Sequence, residues 1–410
     1  MQDIKKMAKN ARQAYKELSK LSTKQKNEIL FEMAEKIDKD RAEILSANQI
    51  DLSYAKINGI KEIMIDRLSL NDERINSLID SIRLLANSKD YIGEKISEVN
   101  LDNGLRIIQR RESFGVIGFI YESRPNVTVD VCSICLKNSA AVILKGGKDA
   151  INTNKAIVKL LNEACFIKNI FQLIELSDRA VIYDLLNLKD DIDLIIPRGG
   201  KGLIDFVRDN SKIPIIETGT GNCHIFVDES ADVEEAIKII VNAKVQRPSV
   251  CNAVESLVIH KGVAEKLLKK LSFALEKQNV EIRGCIRTQK MIGCILADEK
   301  DWKEEYLDLI ISIMIVDDIG DAINHINNHS SKHSESILSK NKDNIERFFN
   351  EIDSAVVYSN ASTRFTDGAE FGFGAEIGIS TQKIHVRGPF SLRDLTTTKY
   401  IVYGNGQIRE

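Results

Sequence analysis

The residue best suited to covalent chemistry is Cys251, because a thiolate is a strong nucleophile towards a carbonyl carbon. It follows Pro248 and Ser249, a pair that can begin a helix. A helix beginning there would place Cys251 in its first turn, where the helix dipole favours the thiolate. The alternative from the local sequence is that Cys251 is a small buried hydrophobic residue, as most free cysteines are.

A second candidate is the stretch around Arg198, Gly199 and Gly200, where an apolar run leads into a glycine pair and then into a helical pattern. The backbone N–H groups and the helix dipole at such a junction suit a phosphate group. No Lys-Ser or Lys-Thr pair follows the glycines, so the stretch is not a Walker A loop. The alternative is a tight turn between a strand and a helix.

A third candidate lies at the end of another apolar run, where Lys145 precedes Gly146, Gly147 and Lys148. A lysine at the end of a strand can contact a ribose hydroxyl or a phosphate, and the glycines allow a close approach to the backbone. The alternative is a surface lysine in a turn.

Two further patterns resemble metal-binding motifs and are interpreted otherwise. Cys132 and Cys135 have CxxC spacing, but no second pair lies nearby, and their apolar neighbours predict two core cysteines on a helix. His325, His329 and His333 recur at helical spacing, but the glutamate of an HExxH motif is missing, so a partly exposed helix end explains them more simply. We therefore predict that the site holds no metal.

The elements that must position these residues alternate between strands and helices. Residues 1–90 have helical periodicity, and the Asn103-Gly104 step between short alternating segments predicts a hairpin. Apolar runs and helical stretches then alternate over residues 114–225, and a second stretch of this kind follows over 232–355. The alternation predicts an α/β fold with mostly parallel sheets between layers of helices.

The composition excludes several classes of protein. The chain has 410 residues, with 57 Lys and Arg against 60 Asp and Glu, and a formal net charge of −3. Without a basic excess, neither nucleic acid nor an anionic membrane is an expected partner. The N-terminus has no signal-peptide core, no apolar run is long enough to span a membrane, and the scattered cysteines do not form a disulfide framework. We therefore expect a reduced, cytoplasmic protein.

Motifs along nearly the whole chain, with Cys251 among them, resemble those of the gamma-glutamyl phosphate reductases, a branch of the aldehyde dehydrogenase superfamily. Many separate motifs occur in the family's order, which makes the resemblance specific. It favours the nucleophile over the buried hydrophobic residue at Cys251. Departures are mild, such as Glu304 where a threonine is expected. The other stretches that carry the resemblance are 21–23, 47–48, 51–52, 66–68, 121–127, 143–147, 217–219, 221–224, 316–337, 374–380 and 387–389.

The resemblance implies an aldehyde dehydrogenase-like α/β fold. Residues 1–225 and 356–384 would form a Rossmann-like NADPH-binding domain, interrupted by the hairpin 91–113. Residues 226–355 would form an α/β catalytic domain that carries the nucleophile. The hairpin and residues 385–410 would form a small β oligomerisation flap, since a two-stranded ribbon is only marginally stable alone.

The resemblance also implies a reaction, the NADPH-dependent reduction of L-glutamyl 5-phosphate to L-glutamate 5-semialdehyde and phosphate in L-proline biosynthesis. Cys251 would form a thioacyl intermediate, and the Asn126 amide and the Cys251 backbone N–H would bind the oxyanion. Arg124 and Arg247 would bind the substrate's carboxylate and phosphate, with structural ion pairs as the alternative. The implied partners are a second copy of the chain, in a homodimer or homotetramer, and glutamate 5-kinase in a transient contact.

Residues for the two riboses of NADPH follow from the same resemblance. Glu305 aligns with the superfamily acid that binds the nicotinamide ribose, and Lys145 with the lysine at the adenosine ribose. Gly147 lies in the turn between Lys145 and Lys148. Lys148 stands where NAD-preferring members often carry a glutamate, and its positive charge would attract a 2′-phosphate instead.

Arg198 and the Gly199-Gly200 turn would lie beside the pyrophosphate of the cofactor. Glu217 stands where aldehyde dehydrogenases that hydrolyse their thioester hold a general base. Because water would waste the thioester here, we expect Glu217 to shape the cofactor region or to move a proton.

The sequence does not exclude three other functions. Two are enzymes, a general NAD-dependent aldehyde dehydrogenase and a CoA-acylating one, and the third is a catalytically inactive scaffold that binds nucleotide. Dependence of the reverse reaction on phosphate separates the enzymes, because hydrolysis needs no phosphate and acylation needs CoA.

Overall fold

The structure, a computed structural model, describes residues 3–122, 124–176, 179–373 and 376–409. Ser123, Gly374 and Ala375, which carry part of the resemblance, lie outside the described residues. The helices are α1 (Ile4–Leu18), α2 (Thr23–Lys39), α3 (Arg41–Ile57), α4 (Glu62–Leu68), α5 (Asp72–Asn87), α6 (Pro125–Lys137), α7 (Ile151–Glu163), α8 (Arg179–Leu186), α9 (Lys201–Asn210), α10 (Val233–Val245), α11 (Lys261–Glu276), α12 (Ile286–Ile292), α13 (Ile319–His329) and α14 (Lys342–Glu351). The strands are β1 (Lys95–Asn100), β2 (Arg106–Ser113), β3 (Val116–Tyr121), β4 (Ala141–Lys145), β5 (Phe171–Leu173), β6 (Leu194–Arg198), β7 (Cys223–Val227), β8 (Val254–His260), β9 (Glu281–Gly284), β10 (Ile295–Leu296), β11 (Ile310–Val316), β12 (Ser334–Leu338), β13 (Val356–Ser359), β14 (Gly378–Ser380), β15 (Gly388–Phe390) and β16 (Thr396–Tyr403).

The chain forms two compact units, and the first comprises Met1–Thr218, Phe373–Gly378 and Phe390–Glu410. Its central sheet has the strand order β5-β4-β3-β6, with neighbouring strands parallel. Both β3 and β4 are buried along their whole length. Their continuous apolar sequence fits this position, because helices on both faces of a parallel sheet exclude water.

The N-terminal helices of the first unit each bury one face, as their periodicity predicts. Helix α2 begins at a capping box, in which the Ser22 hydroxyl accepts from the Gln25 N–H at 3.3 Å. The Gln25 side chain in turn accepts from the Ser22 N–H at 2.9 Å. These two bonds satisfy backbone donors that a helix start otherwise leaves without partners.

A separate antiparallel sheet of this unit joins β1, β2 and β16. The predicted hairpin at Asn103-Gly104 is confirmed, and Gly104 has a φ of +85°, a conformation that favours glycine. In the register of the sheet, Val99 faces Ile107, and Ile107 faces Val402 on the other side. The three side chains therefore share one face of the sheet.

The second unit comprises Gly219–Gly372 and Ile379–Pro389. Its seven-stranded sheet has the order β10-β9-β11-β8-β7-β12-β13, and each neighbouring pair is parallel. One face packs against α10 and α11 through side chains such as Leu257 and Leu267, and the other packs against α13 and α14 through Phe226 and Phe348. The prediction of an α/β fold with two parallel sheets and a small antiparallel sheet is confirmed.

The division between the units differs from the sequence-based domain boundaries. It falls between Thr218 and Gly219 rather than after residue 225, because β7 pairs with β8 and β12 of the second sheet. Residues 356–372 also belong to the second unit, since β13 pairs with β12 at the edge of that sheet. Among the described helices, none is long and apolar enough to cross a membrane.

Candidate active site

Cys251 lies in a turn between α10 and β8. Helix α10 ends at Val245, β8 begins at Val254, and the Ala253 N–H donates to the Val250 carbonyl at 3.0 Å. The prediction of a first helical turn at Cys251 is wrong, because the chain closes a turn and enters a strand before a helix can nucleate. The Cys251 side chain is partly exposed. The argument from a helix dipole therefore does not apply to it.

Gly221 lies directly against the backbone of Cys251. A Cβ built on Gly221 would lie 1.6 Å from the carbonyl oxygen of Cys251 and 2.5 Å from its Cα, so no larger residue fits. The Gly221 N–H donates to Oε1 of Glu305 at 2.6 Å. Glu305, the acid expected at the nicotinamide ribose, thus holds the loop that packs on Cys251.

The buried thiol of Cys223 contacts the same carbonyl oxygen of Cys251 that Gly221 approaches. The Cys223 thiol donates to the Cys251 carbonyl at 3.2 Å and lies 3.7 Å from Nδ1 of His333. Burial raises the pKa of Cys223 well above its usual range and lowers the pKa of His333 to about 4, so both groups are neutral at pH 7. His325 and His329 lie on α13, whereas His333 is fully buried, which corrects its assignment to a partly exposed helix end.

Cys285, at the N-cap of α12, and Cys294 are the other partly exposed thiols described in this unit, and burial raises the pKa of Cys294. Burial also raises the pKa of Cys285, but hydrogen bonds from Thr288 and from backbone N–H groups outweigh burial and leave the pKa below its usual value. The sequence argument that a helix start favours the thiolate was made for Cys251, but in the structure it is Cys285 that lies at a helix start. Because the pKa of Cys285 is lowered, a test of thiol chemistry must separate Cys251 from Cys285.

In the first unit, Asn126 occupies the first turn of α6, directly after Pro125 at the helix start. Its amide Nδ2 donates to Oδ2 of Asp130, one turn later, at 3.4 Å. Desolvation raises the pKa of Asp130 to about 6, although the residue keeps part of its surface exposed, and the Arg198 charge opposes this rise. Arg198 itself donates from Nη1 to the Ile377 carbonyl at 2.5 Å. The structure therefore brings Asn126 and Arg198 to a common neighbour, Asp130.

The glycine pair at 199–200 connects β6 to α9, with Gly200 as the N-cap of the helix. The Gly200 N–H donates to Oε2 of Glu122 at 3.0 Å. A Cβ on Gly199 would lie 2.7 Å from Cδ of Glu122 and 2.8 Å from Cδ2 of Leu203. The Glu122 carboxylate therefore accepts a hydrogen bond at the helix start where a cofactor phosphate was predicted. Sequence reasoning did not identify Glu122 as a site residue.

Lys145 ends β4, and its ammonium donates to the Gly146 carbonyl at 2.8 Å. Burial lowers the pKa of Lys145. Gly147 precedes a short 3-10 turn that begins at Lys148. Lys148 is exposed, and no carboxylate of the described residues lies within 4.0 Å of its ammonium. Its position fits a group that meets a charged ligand from solvent.

Glu217 and Arg124 also lie in the first unit. Burial raises the pKa of Glu217, and Nη1 of Arg208 lies 3.7 Å from its Oε2. Arg124 is the N-cap of α6, and its backbone N–H donates to the Glu122 carbonyl at 2.8 Å.

Arg364 is a second candidate that sequence reasoning missed. Its guanidinium donates to the side chains of Gln246 and Asn252, on either side of Cys251 in the sequence. Arg247, predicted to bind substrate, is exposed in the same stretch. Because Arg364 lies 112 residues after Asn252, no local pattern could associate it with Cys251.

Comparison with known proteins places this arrangement in a family. Residues 1–295 match the family model described as the aldehyde dehydrogenase family. The gamma-glutamyl phosphate reductase of Thermotoga petrophila is 48% identical over 415 residues, covering 100% of both chains. That of Clostridium kluyveri is 50% identical over 408 residues and 98% of both chains.

Solved structures agree with the sequence comparison. The crystal structure of gamma-glutamyl phosphate reductase from Thermotoga maritima superposes with a TM-score of 0.97 at 48% identity, covering 99% of each chain. A propionaldehyde dehydrogenase from Rhodopseudomonas palustris, at 15% identity, has a TM-score of 0.69 over 98% of this chain and 97% of its own, and so shares the fold alone. The chain belongs to the gamma-glutamyl phosphate reductases of the aldehyde dehydrogenase family.

Proposed function

We propose that Cys251 is the nucleophile of a gamma-glutamyl phosphate reductase. The activity follows from the full-length relatives: the chain reduces L-glutamyl 5-phosphate to L-glutamate 5-semialdehyde and phosphate with NADPH, a step of proline biosynthesis. The observation that carries the role of Cys251 is its partly exposed side chain on a backbone braced by Gly221 and by the Cys223 thiol.

The reaction begins when the Cys251 thiolate attacks the acyl carbon of glutamyl phosphate. The bond between that carbon and the phosphate oxygen breaks, phosphate leaves with the electron pair, and a thioester remains on Cys251. Reduction of that thioester needs a hydride, which NADPH would supply when bound. The resulting hemithioacetal collapses, the carbon–sulfur bond breaks, and the thiolate and the aldehyde are released.

The oxyanion that precedes loss of phosphate needs two hydrogen-bond donors about 3 Å away. We assign one to the Asn126 amide and the other to the Cys251 backbone N–H. An amide nitrogen carries two hydrogens, and one of those on Asn126 is directed at Asp130. That bond would hold the amide in one orientation and leave its second hydrogen for the substrate.

For the cofactor, Lys148 is assigned to the 2′-phosphate and Lys145 to the adenosine ribose. An exposed ammonium without a carboxylate neighbour among the described residues suits a phosphate, which NADPH has and NADH lacks. Gly147 would allow the close approach, and Gly199, Gly200 and Arg198 would border the pyrophosphate. Glu305 would bind the nicotinamide ribose and Glu217 would shape the cofactor region, since a base that activates water would destroy the thioester.

Glu122, whose carboxylate contacts the start of α9, affects where the pyrophosphate can bind. Glu122 accepts from the Gly200 N–H, so a phosphate at that N–H would compete with a carboxylate of the same charge sign. The cofactor would therefore either displace the Glu122 side chain or use the remaining N–H groups of the first turn.

Assembly through the β1-β2-β16 sheet is proposed from its exposed apolar side chains. Val99 and Val402 are about half exposed, at 50% and 52%, and lie in register with Ile107 between them. Such a row of partly exposed apolar side chains suits a second copy of the chain, in a homodimer or homotetramer. Light scattering should show a smaller assembly for Val402→Lys than for the unmodified chain.

A transient contact with glutamate 5-kinase remains a proposal from the family resemblance, and co-sedimentation of the two proteins tests it.

The function is tested in reverse, with pyrroline-5-carboxylate as the source of the aldehyde. Production of NADPH from NADP⁺ should require inorganic phosphate and should not respond to CoA. Steady turnover without phosphate would indicate a hydrolytic aldehyde dehydrogenase, and turnover that requires CoA would indicate an acylating one. Binding of NADPH without any turnover would indicate a scaffold.

A further inference from the structure

Arg364 lies in a short 3-10 turn, Thr363–Phe365, that is fastened to the residue after Cys251. The Thr363 hydroxyl donates to the Asn252 carbonyl at 2.7 Å. The Asn252 amide donates in return to the Thr366 carbonyl at 2.8 Å. The turn and the Cys251 loop are therefore held together at one residue, and both belong to the second unit.

The guanidinium of Arg364 is fixed in orientation. Its Nε donates to Oε1 of Gln246 at 2.8 Å, and its Nη1 donates to Oδ1 of Asn252. A guanidinium has five N–H donors in a rigid plane, so the group keeps donors beyond the two used here. It is also half-buried, which strengthens any bond that it makes to an anion.

The charges around Arg364 favour an anionic ligand. Burial lowers its pKa, and the positive charge of Arg247 lowers it further, whereas Asp367, Cys251 and Glu370 act in the opposite direction. Arg247 and Cys251 are thus both within electrostatic range of Arg364. In the part of the chain that the structure describes, no carboxylate oxygen lies within 4.0 Å of either arginine. Among the described residues, the two arginines therefore have no carboxylate as a close counter-ion.

We propose that Arg364, with Arg247, binds the phosphoryl group of the acyl phosphate and, in the reverse direction, inorganic phosphate. The inference rests on the proposed function. Two positive charges match a phosphate dianion, and the planar donors of arginine match its oxygens in pairs. The phosphoryl oxygen is bonded to the carbon that Cys251 attacks, so it must lie near the thiol. The substrate's α-carboxylate lies at the far end of the carbon chain.

The reverse assay distinguishes the two anions, because phosphate and pyrroline-5-carboxylate are added separately. Arg364→Gln should raise the KM for phosphate by about 10–100-fold, the usual effect of losing charge-assisted hydrogen bonds to a phosphate. The KM for pyrroline-5-carboxylate should change by less than about twofold if its carboxylate is bound elsewhere. Arg364→Lys keeps the charge but not the planar donors, so it should give a smaller rise. The control is Arg287→Gln, at an exposed arginine paired with Asp317, and it should change neither KM.

A rise in the KM for pyrroline-5-carboxylate alone would overturn the proposal in favour of the α-carboxylate, and two unchanged KM values would overturn it in favour of a structural role. If Arg364→Gln fails to fold, a second readout is available. Inorganic phosphate, when bound, should protect Cys251 against an alkylating reagent. Phosphate should protect Arg364→Lys less than the unmodified chain, and equal protection would overturn the proposal. Failure of the proposed function would show earlier, as turnover of the unmodified chain that does not depend on phosphate.

Discussion

Gly221 and Cys251 are packed so closely that a single added carbon atom on Gly221 would meet the Cys251 carbonyl oxygen at 1.6 Å. The contact joins the loop before β7 to the turn before β8, and Glu305 holds that loop through the Gly221 N–H at 2.6 Å. The nucleophile therefore packs on a residue without a side chain, and the acid assigned to the nicotinamide ribose accepts a hydrogen bond from that residue.

Substitution of Gly221 should displace Cys251. Gly221→Ala places a Cβ on a backbone atom, which cannot rotate away, so the turn must shift. A misplacement of about 1 Å at a reacting group costs about 10²-fold in rate, and overpacking costs about 1–3 kcal/mol in unfolding free energy. The measurements are kcat in the reverse reaction and the thermal unfolding temperature. The matched control is Gly202→Ala, where a Cβ meets no atom within 4 Å, and a similar loss in both variants would contradict the account.

Removal of the Asn126 amide should slow the reaction without unfolding the protein. Asn126→Ala is expected to lower kcat by about 10²–10³-fold, the usual cost of one oxyanion donor. The KM for phosphate in the reverse assay should change little, because the amide is assigned to the oxyanion that forms during the reaction. An unchanged kcat, with the variant folded by circular dichroism, would remove Asn126 from the oxyanion site.

The partly buried carboxyl of Asp130 predicts a dependence of stability on pH. Its pKa rises from about 3.8 to about 6 in the folded state, so the unfolded chain loses this proton first as pH increases. The folded state is therefore penalised progressively between about pH 4 and pH 6, by at most about 3 kcal/mol. Asp130→Asn removes the penalty, so its unfolding free energy relative to the unmodified chain should rise over this range and then level off.

Urea unfolding at pH 4.5 and pH 7.5 measures this difference. The control is Asp80→Asn, at an exposed aspartate on α5, which should show no such trend. A larger gain for Asp130→Asn at the lower pH would have the wrong sign for a raised pKa and would contradict the assignment.

Cofactor choice should depend on Lys148. Loss of a charge-assisted contact to the 2′-phosphate costs about 1.5–3 kcal/mol, which corresponds to a preference of about 10–100-fold. Lys148→Glu should reduce or reverse the preference for NADPH over NADH in kcat/KM, and added salt should weaken NADPH binding more than NADH binding. Lys9→Glu, at an exposed lysine on α1, is the control for a general change of charge. Equal preferences in the unmodified chain and Lys148→Glu would assign the phosphate to another residue, with Arg198 the next candidate.

Local patterns predicted the elements of this protein better than they predicted its site. The apolar runs at β3, β4 and β6 and the Asn103-Gly104 hairpin follow from short-range preferences, and all are present in the structure. The residues around Cys251 are of types that begin helices, but the stretch between the end of α10 at Val245 and the start of β8 at Val254 is too short for another helix to form.

The residues that sequence reasoning missed depend on pairings between distant segments. Glu122 reaches the start of α9 because Tyr121 pairs with Arg198 in the β3–β6 ladder. Arg364 reaches the Cys251 loop through Asn252, across 112 residues of sequence. No periodicity or motif encodes such contacts, because they arise only when the sheet brings the segments together.

The role of Cys251 is the central claim, and a reverse reaction without phosphate tests it most directly. With pyrroline-5-carboxylate and NADP⁺ alone, hydride transfer can occur once, but the thioester has no phosphate to accept the acyl group. The unmodified chain should release about one equivalent of NADPH per chain and carry an acyl group on the Cys251 peptide, as covalent catalysis requires. Cys285→Ala should give the same burst and Cys251→Ala none, while both bind NADPH normally. A full burst from Cys251→Ala, or its loss in Cys285→Ala, would contradict the account.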